Sequence, residues 1–151
     1  MSEPSCRALE DADLPGLAAA LDAAGLPGGD VHLPGRRFFR FADDEGPVGY
    51  GGLEGEAPDV LIRSVVVRPE RRGTGRGAAI VRALERRAVA LGATRLHLLT
   101  ATAAGLFAGL GYRPAPRASA PPAIAGSRQF AHLCPGDARY LVKDVGRGDR
   151  A

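Results

Sequence analysis

The chain has 151 residues, of which 45% are hydrophobic and 25% are charged, and its formal net charge is +3. This composition argues against a disordered chain and is sufficient for one domain with a buried core. Aromatic residues make up only 5%, so no basic and aromatic platform for nucleic acid is visible. No apolar run approaches membrane length, and the two cysteines lie too far apart for a metal-ligand pair. We therefore expect a cytoplasmic globular protein that needs no metal and binds neither membrane nor nucleic acid.

The N-terminal third predicts strands over residues 6–9, 37–41 and 48–53 and a helix over residues 14–21. The helix has an aspartate-rich entry with proline in its first turn, and Gly25 ends it. The two strands that follow flank the acidic turn 43–46, which indicates an antiparallel hairpin. The segment 27–35 between helix and hairpin has the composition of a loop.

The centre of the chain, residues 60–99, reads as strand, glycine-rich loop, helix and strand. Residues 60–67 form a β-branched apolar run that ends before Pro69. Apolar residues then recur at helical spacing from Ile80 to Leu91, and Gly92 ends the helix. A second apolar strand covers residues 94–99.

The loop in this unit, residues 70–77, predicts an anion site. Its glycines allow close backbone approach, and the first turn of the following helix adds unpaired amides and a positive dipole end. Arg71, Arg72 and Arg76 add charged donors. A nucleotide-triphosphate loop is excluded because the only lysine of the chain is Lys143, and a dinucleotide loop lacks its acidic residue after the next strand.

The run Val-Arg-Pro at 67–69, followed by Arg-Gly-Thr-Gly-Arg-Gly at 72–77, matches the coenzyme A loop of the Gcn5-related N-acetyltransferases (GNAT). Residues 106–112 also resemble the end of the helix that follows the second core strand in that superfamily. The resemblance implies a single α/β (α+β) GNAT domain over residues 1–145, with a frayed tail at 146–151. It implies a mixed central sheet whose two parallel strands splay apart, with helices on its faces.

The resemblance also implies that acetyl-coenzyme A is the cosubstrate. Its pantetheine arm would pair with the first core strand, and its diphosphate would bind the loop. A backbone amide near Val66 would polarise the thioester carbonyl. The residues expected to contact the coenzyme are Val65, Val66, Val67, Arg72, Gly73, Thr74, Gly75, Arg76, Gly77, Thr100 and Phe107.

Proton transfer is less conventional, because Phe107 stands where the superfamily often has a tyrosine beside the coenzyme sulfur. Tyr112, Ser64, Thr102 or a water is left as the proton donor. We expect Glu54, at the end of the strand before the central one, to be the general base, directly or through a water. A solvated loop carboxylate is the alternative for Glu54.

Arg63 interrupts an apolar strand, where a charge is costly unless it is paired. It either pairs with an acid such as Glu54 or faces the cleft and binds an anionic group of the acceptor. We favour the acceptor contact, with Arg37 as a second, weaker contact. His97, inside the second strand, is expected to be packed and hydrogen-bonded.

The C-terminal third predicts a short helix at 103–110, an extended proline-rich segment, a helix at 124–133 and a strand at 139–142. Several stretches, including residues 61–65, 120–124 and 130–135, resemble the small acetyltransferases of bacterial arsenic-resistance operons. Cys134 could then bind an arsenical or be a buried small hydrophobe.

We therefore predict an N-acetyltransferase that acts on a small, anionic amine, such as an amino-acid-like toxin or an organoarsenical, as a monomer or homodimer. A non-catalytic acyl-coenzyme A binding module and an arginine-based nucleic-acid binder are the alternatives.

Overall fold

The computed structural model describes residues 3–73, 75–130 and 138–146. Its strands are β1 (Ser5–Ala8), β2 (Arg36–Asp43), β3 (Gly46–Glu54), β4 (Asp59–Val67), β5 (Arg95–Thr100), β6 (Arg113–Pro114) and β7 (Arg139–Asp144). Its helices are α1 (Leu14–Ala23), α2 (Arg76–Ala90), α3 (Ala104–Gly109) and α4 (Pro122–Ala125). No helix in these ranges is both long enough and apolar enough to cross a membrane.

The strands form one mixed sheet in the order β1-β2-β3-β4-β5-β7-β6. β4 and β5 are parallel, and the other neighbouring pairs are antiparallel. The glycine-rich loop and α2 connect β4 to β5, as the sequence predicted. The predicted mixed sheet flanked by helices is confirmed.

Both faces of the sheet are covered, in agreement with the continuous runs of buried residues in β3 and β4. On one face, Ile80 and Leu84 of α2 and Phe107 of α3 pack in the largest core cluster. On the other face, Leu17 and Leu21 of α1 pack against Phe38 and Val66. Near α4, Ile124 packs against strand residues of β4 and β7.

The C-terminal third differs most from the prediction. Of the helix expected at 124–133, the structure has α4, which begins at Pro122 and ends at Ala125, and a second helical stretch over residues 128–130; residues 131–137 lie outside the described part. The proline-rich segment contains a 3-10 turn at Arg117–Ser119, and Arg113–Pro114 pairs with β7. The tail expected to fray from Gly146 is described only at that residue.

Candidate active site

β4 and β5 pair only at their beginnings and then diverge. The parallel register runs from Asp59 opposite Arg95 to Leu61 opposite His97. Beyond this point a cavity of about 580 Å³ opens between the strands. The remainder of β4 and of β5 forms two of its walls, and residues 24–27 after α1 and residues 101–107 around α3 form the others. The splay that the sequence resemblance implied is therefore present.

A β-bulge shapes the β4 wall of the cavity. The register of β3 against β4 shifts between Tyr50 and Gly52, so that Ser64 and Val65 face a single residue of β3. Ser64 has φ +59°, and no other non-glycine residue in the described ranges has a positive φ. This conformation costs about 1–2 kcal/mol in an L-residue. The bulge leaves backbone groups of β4 outside the ladder, where a ligand in the cavity can reach them.

The glycine-rich loop closes one end of the cavity. Gly73 and Gly75 have φ values of +78° and +79°, which glycine adopts without strain. Gly75 is the N-cap of α2, so the amides of the first turn of α2 have no partner within the helix. Arg72 and Gly77 line the cavity, and Arg72 Nε donates to the Val67 carbonyl at 3.1 Å. Thr74, also predicted to bind coenzyme, lies outside the described residues.

Two arginines of the loop, predicted as diphosphate donors, form ion pairs with the β2–β3 hairpin. Arg76 Nη2 pairs with Asp43 at 3.1 Å and with Glu45 at 3.2 Å, and Arg71 Nη2 also pairs with Asp43. The hydrogen bond from Arg71 holds the pKa of Asp43 well below its ordinary value. These pairs attach the loop to the hairpin, so at position 76 the backbone, rather than the guanidinium, remains the candidate ligand.

The structure uses the Arg63 side chain internally, in contrast to the favoured prediction. It has no exposed surface, and its Nη1 and Nη2 donate to the two oxygens of Asp30 at 2.7 and 2.6 Å. Nη1 also donates to Glu54 Oε1 at 2.8 Å, and the guanidinium lies over the Phe38 ring. The alternative prediction, pairing with an acid such as Glu54, is the arrangement found. A buried charge inside a strand is stable only with partners of this kind.

Sequence reasoning missed Asp30, which lies in the loop between α1 and β2 and has no exposed surface. Burial opposes its ionisation, but hydrogen bonds from Arg63 and from Arg36 (3.1 Å) hold its pKa below the ordinary value. An aspartate in a segment of prolines and glycines carries no signal of burial. In the sequence, the one indication of such an acid was Arg63, because a positive charge inside an apolar strand requires a partner.

The other predicted acceptor-side residues do not reach the cavity walls. Glu54 is nearly buried, and its Oε1 lies 3.6 Å from Arg36 Nε as well as accepting from Arg63. Arg37 is exposed on β2 and lies outside the cavity lining. Neither side chain lies where it would touch a molecule bound between β4 and β5 without an intervening water or a movement.

Tyr112, predicted as a possible proton donor, does not belong to the cavity lining. Its hydroxyl donates to Glu85 Oε2 on α2 at 2.8 Å, and its ring packs edge-on against Phe107. Burial, followed by the charge of Glu85, raises the pKa of this hydroxyl far above its ordinary value. Lys143 Nζ completes the cluster by donating to the same carboxylate at 3.0 Å. Tyr112 is therefore placed in a structural network.

Five more of the residues predicted to contact the coenzyme line the cavity, namely Val65, Val66, Val67, Thr100 and Phe107, whereas Gly73 and Gly75 do not belong to its lining. Val65 and Val67 also pack against the core, as expected of residues whose backbone would contact the coenzyme. Thr100 Oγ1 accepts a hydrogen bond from the amide of Ala103 at 2.9 Å, just before α3. Phe107 lies among the lining residues and offers no proton. Of the predicted proton donors, Ser64 and Thr102 line the cavity.

His97 lies outside the cavity lining, and both of its ring nitrogens have a partner. His97 bridges Tyr140 Oη (2.7 Å from Nδ1) and Asp59 Oδ1 (2.8 Å from Nε2), as expected for a packed and satisfied histidine. Burial lowers its pKa. Cys134 lies outside the described residues. Within those residues, no group of three or more His, Cys, Asp or Glu could hold a metal ion.

The family model of the acetyltransferase (GNAT) domain matches residues 34–114, which is just over half of the chain. The chain therefore belongs to the GNAT acetyltransferase domain family. This match confirms the superfamily and the enzyme class that the loop motif indicated. The finer resemblance to arsenic-resistance acetyltransferases has no counterpart in the match. No curated protein has a sequence that matches this chain.

Several solved structures share the fold. N-acetylglutamate synthase from Neisseria gonorrhoeae, complexed with coenzyme A and L-arginine, has 21% identity and a TM-score of 0.77 over 97% of this chain and 34% of its own. This chain thus spans about a third of that protein's length. Rv2747 from Mycobacterium tuberculosis, in complex with CoA, has 20% identity and a TM-score of 0.77, covering 94% of this chain and 99% of its own. The ribosomal-protein-S18-alanine N-acetyltransferase from Escherichia coli has 16% identity and a TM-score of 0.68, covering 94% of each. At these identities the likeness shows the fold.

Proposed function

We propose that this protein transfers an acetyl group from acetyl-coenzyme A to the amine of a small acceptor in a direct ternary complex. The observation that carries the proposal is the cavity between the diverging ends of β4 and β5, which ends at Arg72 and Gly77 beside the first turn of α2. A thioester arm fits between two strands whose backbones no longer pair. A diphosphate fits glycine-rich backbone and helix amides.

In this arrangement the pantetheine arm would lie along residues 65–67 of β4, and the diphosphate would bind residues 72–77. The acceptor amine attacks the thioester carbonyl, so that a C–N bond forms and the C–S bond breaks. A backbone amide near Val66 stabilises the oxyanion, which is typically worth a factor of about a hundred to a thousand in rate. The attacking nitrogen loses a proton, and the departing thiolate gains one.

We propose that Glu54, acting through a water, accepts the proton of the attacking amine; its carboxylate accepts a hydrogen bond from Arg63, which lines the cavity. For the thiolate, Ser64, Thr102 or a water is the proposed donor. Ser64 lines the cavity, and its Oγ accepts a hydrogen bond from Arg63 Nε at 3.0 Å, which leaves its own hydrogen free to donate.

The acceptor enters the proposal as a small amine. The anionic acceptor predicted from the sequence depended on Arg63, whose guanidinium is engaged by two carboxylates. N-acetylglutamate synthase names one amino-acid acceptor in this fold, and the arsenic-operon resemblance suggests arsenical amino acids. Both classes belong in a substrate screen beside neutral amines. We further propose a cytoplasmic protein, monomeric or homodimeric, without a membrane partner.

Two other functions are alternatives to acetyl transfer, and experiment can distinguish them from it. A non-catalytic acyl-coenzyme A binding module is favoured by Phe107, which lines the cavity where a tyrosine would donate a proton. A nucleic-acid binder is disfavoured because the loop arginines are engaged within the chain, for example Arg68 Nε with Glu70 at 2.7 Å and Arg76 with Asp43.

The proposal is tested by titration calorimetry with coenzyme A and acetyl-coenzyme A, followed by an amine screen that measures release of the free thiol. Saturable binding with thiol release that depends on one acceptor is the expected result. Binding without release for any amine, amino acid or arsenical amino acid would support the sensing module. Failure to bind coenzyme A would overturn the proposal.

A further inference from the structure

The buried ion pair between Asp30 and Arg63 joins two walls of the cavity that lie far apart in sequence. Arg63 is in β4, immediately before the bulge at Ser64. Asp30 is in the loop whose first residues, Ala24 to Pro27, line the same cavity. Both side chains have no exposed surface, and the pair is bidentate.

We propose that Asp30 and Arg63 are positioning residues that hold two walls of the cavity, the Ser64 bulge and the loop after α1, at a fixed separation. The inference rests on the proposed acetyl transfer for its kinetic consequence, but its structural part does not. Neither side chain is proposed to touch a substrate.

The contact that carries the first half of the inference is the hydrogen bond from Arg63 Nε to Ser64 Oγ, at 3.0 Å. Ser64 holds a left-handed conformation that a serine adopts at a cost, so surrounding contacts must stabilise it. A guanidinium whose other nitrogens are held by Asp30 and Glu54 has one available orientation. It therefore fixes the Ser64 side chain and the bulge that exposes the β4 backbone.

The second half concerns the loop. Asp30 is bound from two sides, by Arg63 of β4 and by Arg36 at the start of β2. The cluster of Arg36, Arg63, Asp30 and Glu54 carries two positive and two negative charges, so its formal charge is zero. Its groups satisfy one another, and it offers no net charge to attract an acceptor. These contacts attach the loop to β4 and so fix the distance between these two walls of the cavity.

The first test is hydrogen exchange on the ligand-free protein with the variant Asp30→Asn. This change keeps the shape of the side chain and removes its charge. We expect faster exchange both in residues 26–35 and in residues 62–67, with residues 80–90 of α2 unchanged. Unchanged exchange at 62–67 would overturn the inference, because the loop would then be independent of the bulge.

Asp13→Asn is the matched control. Asp13 also pairs with an arginine of β2, at 3.1 Å from Arg40, but that pair is partly exposed and does not touch β4. We expect its exchange effects to stay near α1 and to leave residues 62–67 unchanged. An equal effect at 62–67 would show that any lost ion pair loosens the bulge, and would also overturn the inference.

The second test is kinetic and uses Arg63→Lys, which keeps the charge and loses the bidentate geometry. We expect kcat to fall roughly tenfold to a hundredfold, as for a small displacement of reacting groups, with coenzyme A affinity nearly unchanged. Ser64→Gly in the same background is followed by hydrogen exchange rather than by kcat, because Ser64 is also a proposed proton donor. Glycine adopts φ +59° without support, so it should restore part of the protection of residues 62–67 that Arg63→Lys loses. An unchanged kcat in folded Arg63→Lys, or no restored protection in the double variant, would contradict the positioning role.

The two proposals fail differently. If the wild-type protein neither binds coenzyme A nor releases thiol, the proposed function fails, and the exchange experiment still decides whether Asp30 and the bulge are coupled. If transfer is normal and Asp30→Asn leaves residues 62–67 protected, only the positioning inference fails.

Discussion

The backbone of β3 at Gly49 lies directly against the Val66 carbonyl of β4. A Cβ atom at position 49 would overlap that carbonyl oxygen and would lie 3.0 Å from the Val67 Cα. Glycine at 49 therefore allows β4 to follow its bulged course past β3. The shape of the cavity wall depends on the absence of a side chain on the neighbouring strand.

Gly49→Ala should lower the free energy of unfolding by about 1–3 kcal/mol, because overpacking displaces the backbone of β4. It should also weaken coenzyme A binding. Urea unfolding and calorimetry measure the two effects. The control is Gly105→Ala in α3, where a Cβ meets no atom within 4 Å and alanine favours the helix. Equal stability of the two variants would contradict this reading of β3.

Gly75→Glu should lower coenzyme A affinity at least roughly a hundredfold, since a carboxylate beside the first turn of α2 would repel a diphosphate. Gly75 also has a positive φ, so any side chain adds strain. Gly75→Ala carries that strain without the charge and should bind more tightly than the glutamate variant. Calorimetry on both separates charge from strain. Retained affinity in Gly75→Glu would remove the loop from the diphosphate site.

Glu54→Gln should flatten the acidic limb of the pH profile of kcat/KM, with a loss of about a hundredfold in rate, if Glu54 is the base. Because Glu54 also accepts a hydrogen bond from Arg63, the thermal stability of the variant must be measured beside its kinetics. Glu56→Gln, at an exposed position two residues away, is the control. If the pH profile of kcat/KM has the same shape in Glu54→Gln as in the wild type, Glu54 is not the base.

Tyr112→Phe should leave acetyl transfer unchanged and lower the free energy of unfolding by about 1 kcal/mol, because Glu85 loses a hydrogen bond. Thiol release and urea unfolding measure the two quantities. A large fall in kcat with an unchanged KM and a normal fold would return Tyr112 to the list of proton donors.

The free energy of unfolding should fall as the pH is lowered through the range below about 6.5, because of His97. Burial lowers the pKa of His97 in the folded protein, so in this range the unfolded chain binds a proton that the folded chain does not. Urea unfolding at about pH 7 and about pH 5 should show the loss in the wild type. His97→Gln should lose less over the same interval, and an identical loss would assign the effect to other groups.

The strands, the glycine-rich loop and α2 could be predicted because their signals are local. The β-branched run of a strand, the glycines before an amphipathic helix and the four-residue acidic turn of a hairpin are each formed by residues within a few positions of one another. The proposed coenzyme-binding half of the candidate site is contiguous, from β4 to the first turn of α2, so its residues could be predicted together. The C-terminal third was predicted less well, since its prolines indicate extended chain and give no information on pairing with β7.

The side-chain contacts in and around the site could not be predicted, because they join residues that lie far apart in the sequence. Arg63 meets Asp30 across 33 positions, Arg76 meets Asp43 across 33, and Tyr112 meets Glu85 across 27. For Arg63 the residue type indicated that an acidic partner was needed, and the sequence suggested Glu54 but not Asp30. By itself the sequence determined the family, the order of elements and the place of the anion loop. Only the tertiary structure decided which charges face the cavity and which neutralise one another, since a buried ion pair forms where packing brings two chain segments within hydrogen-bond distance.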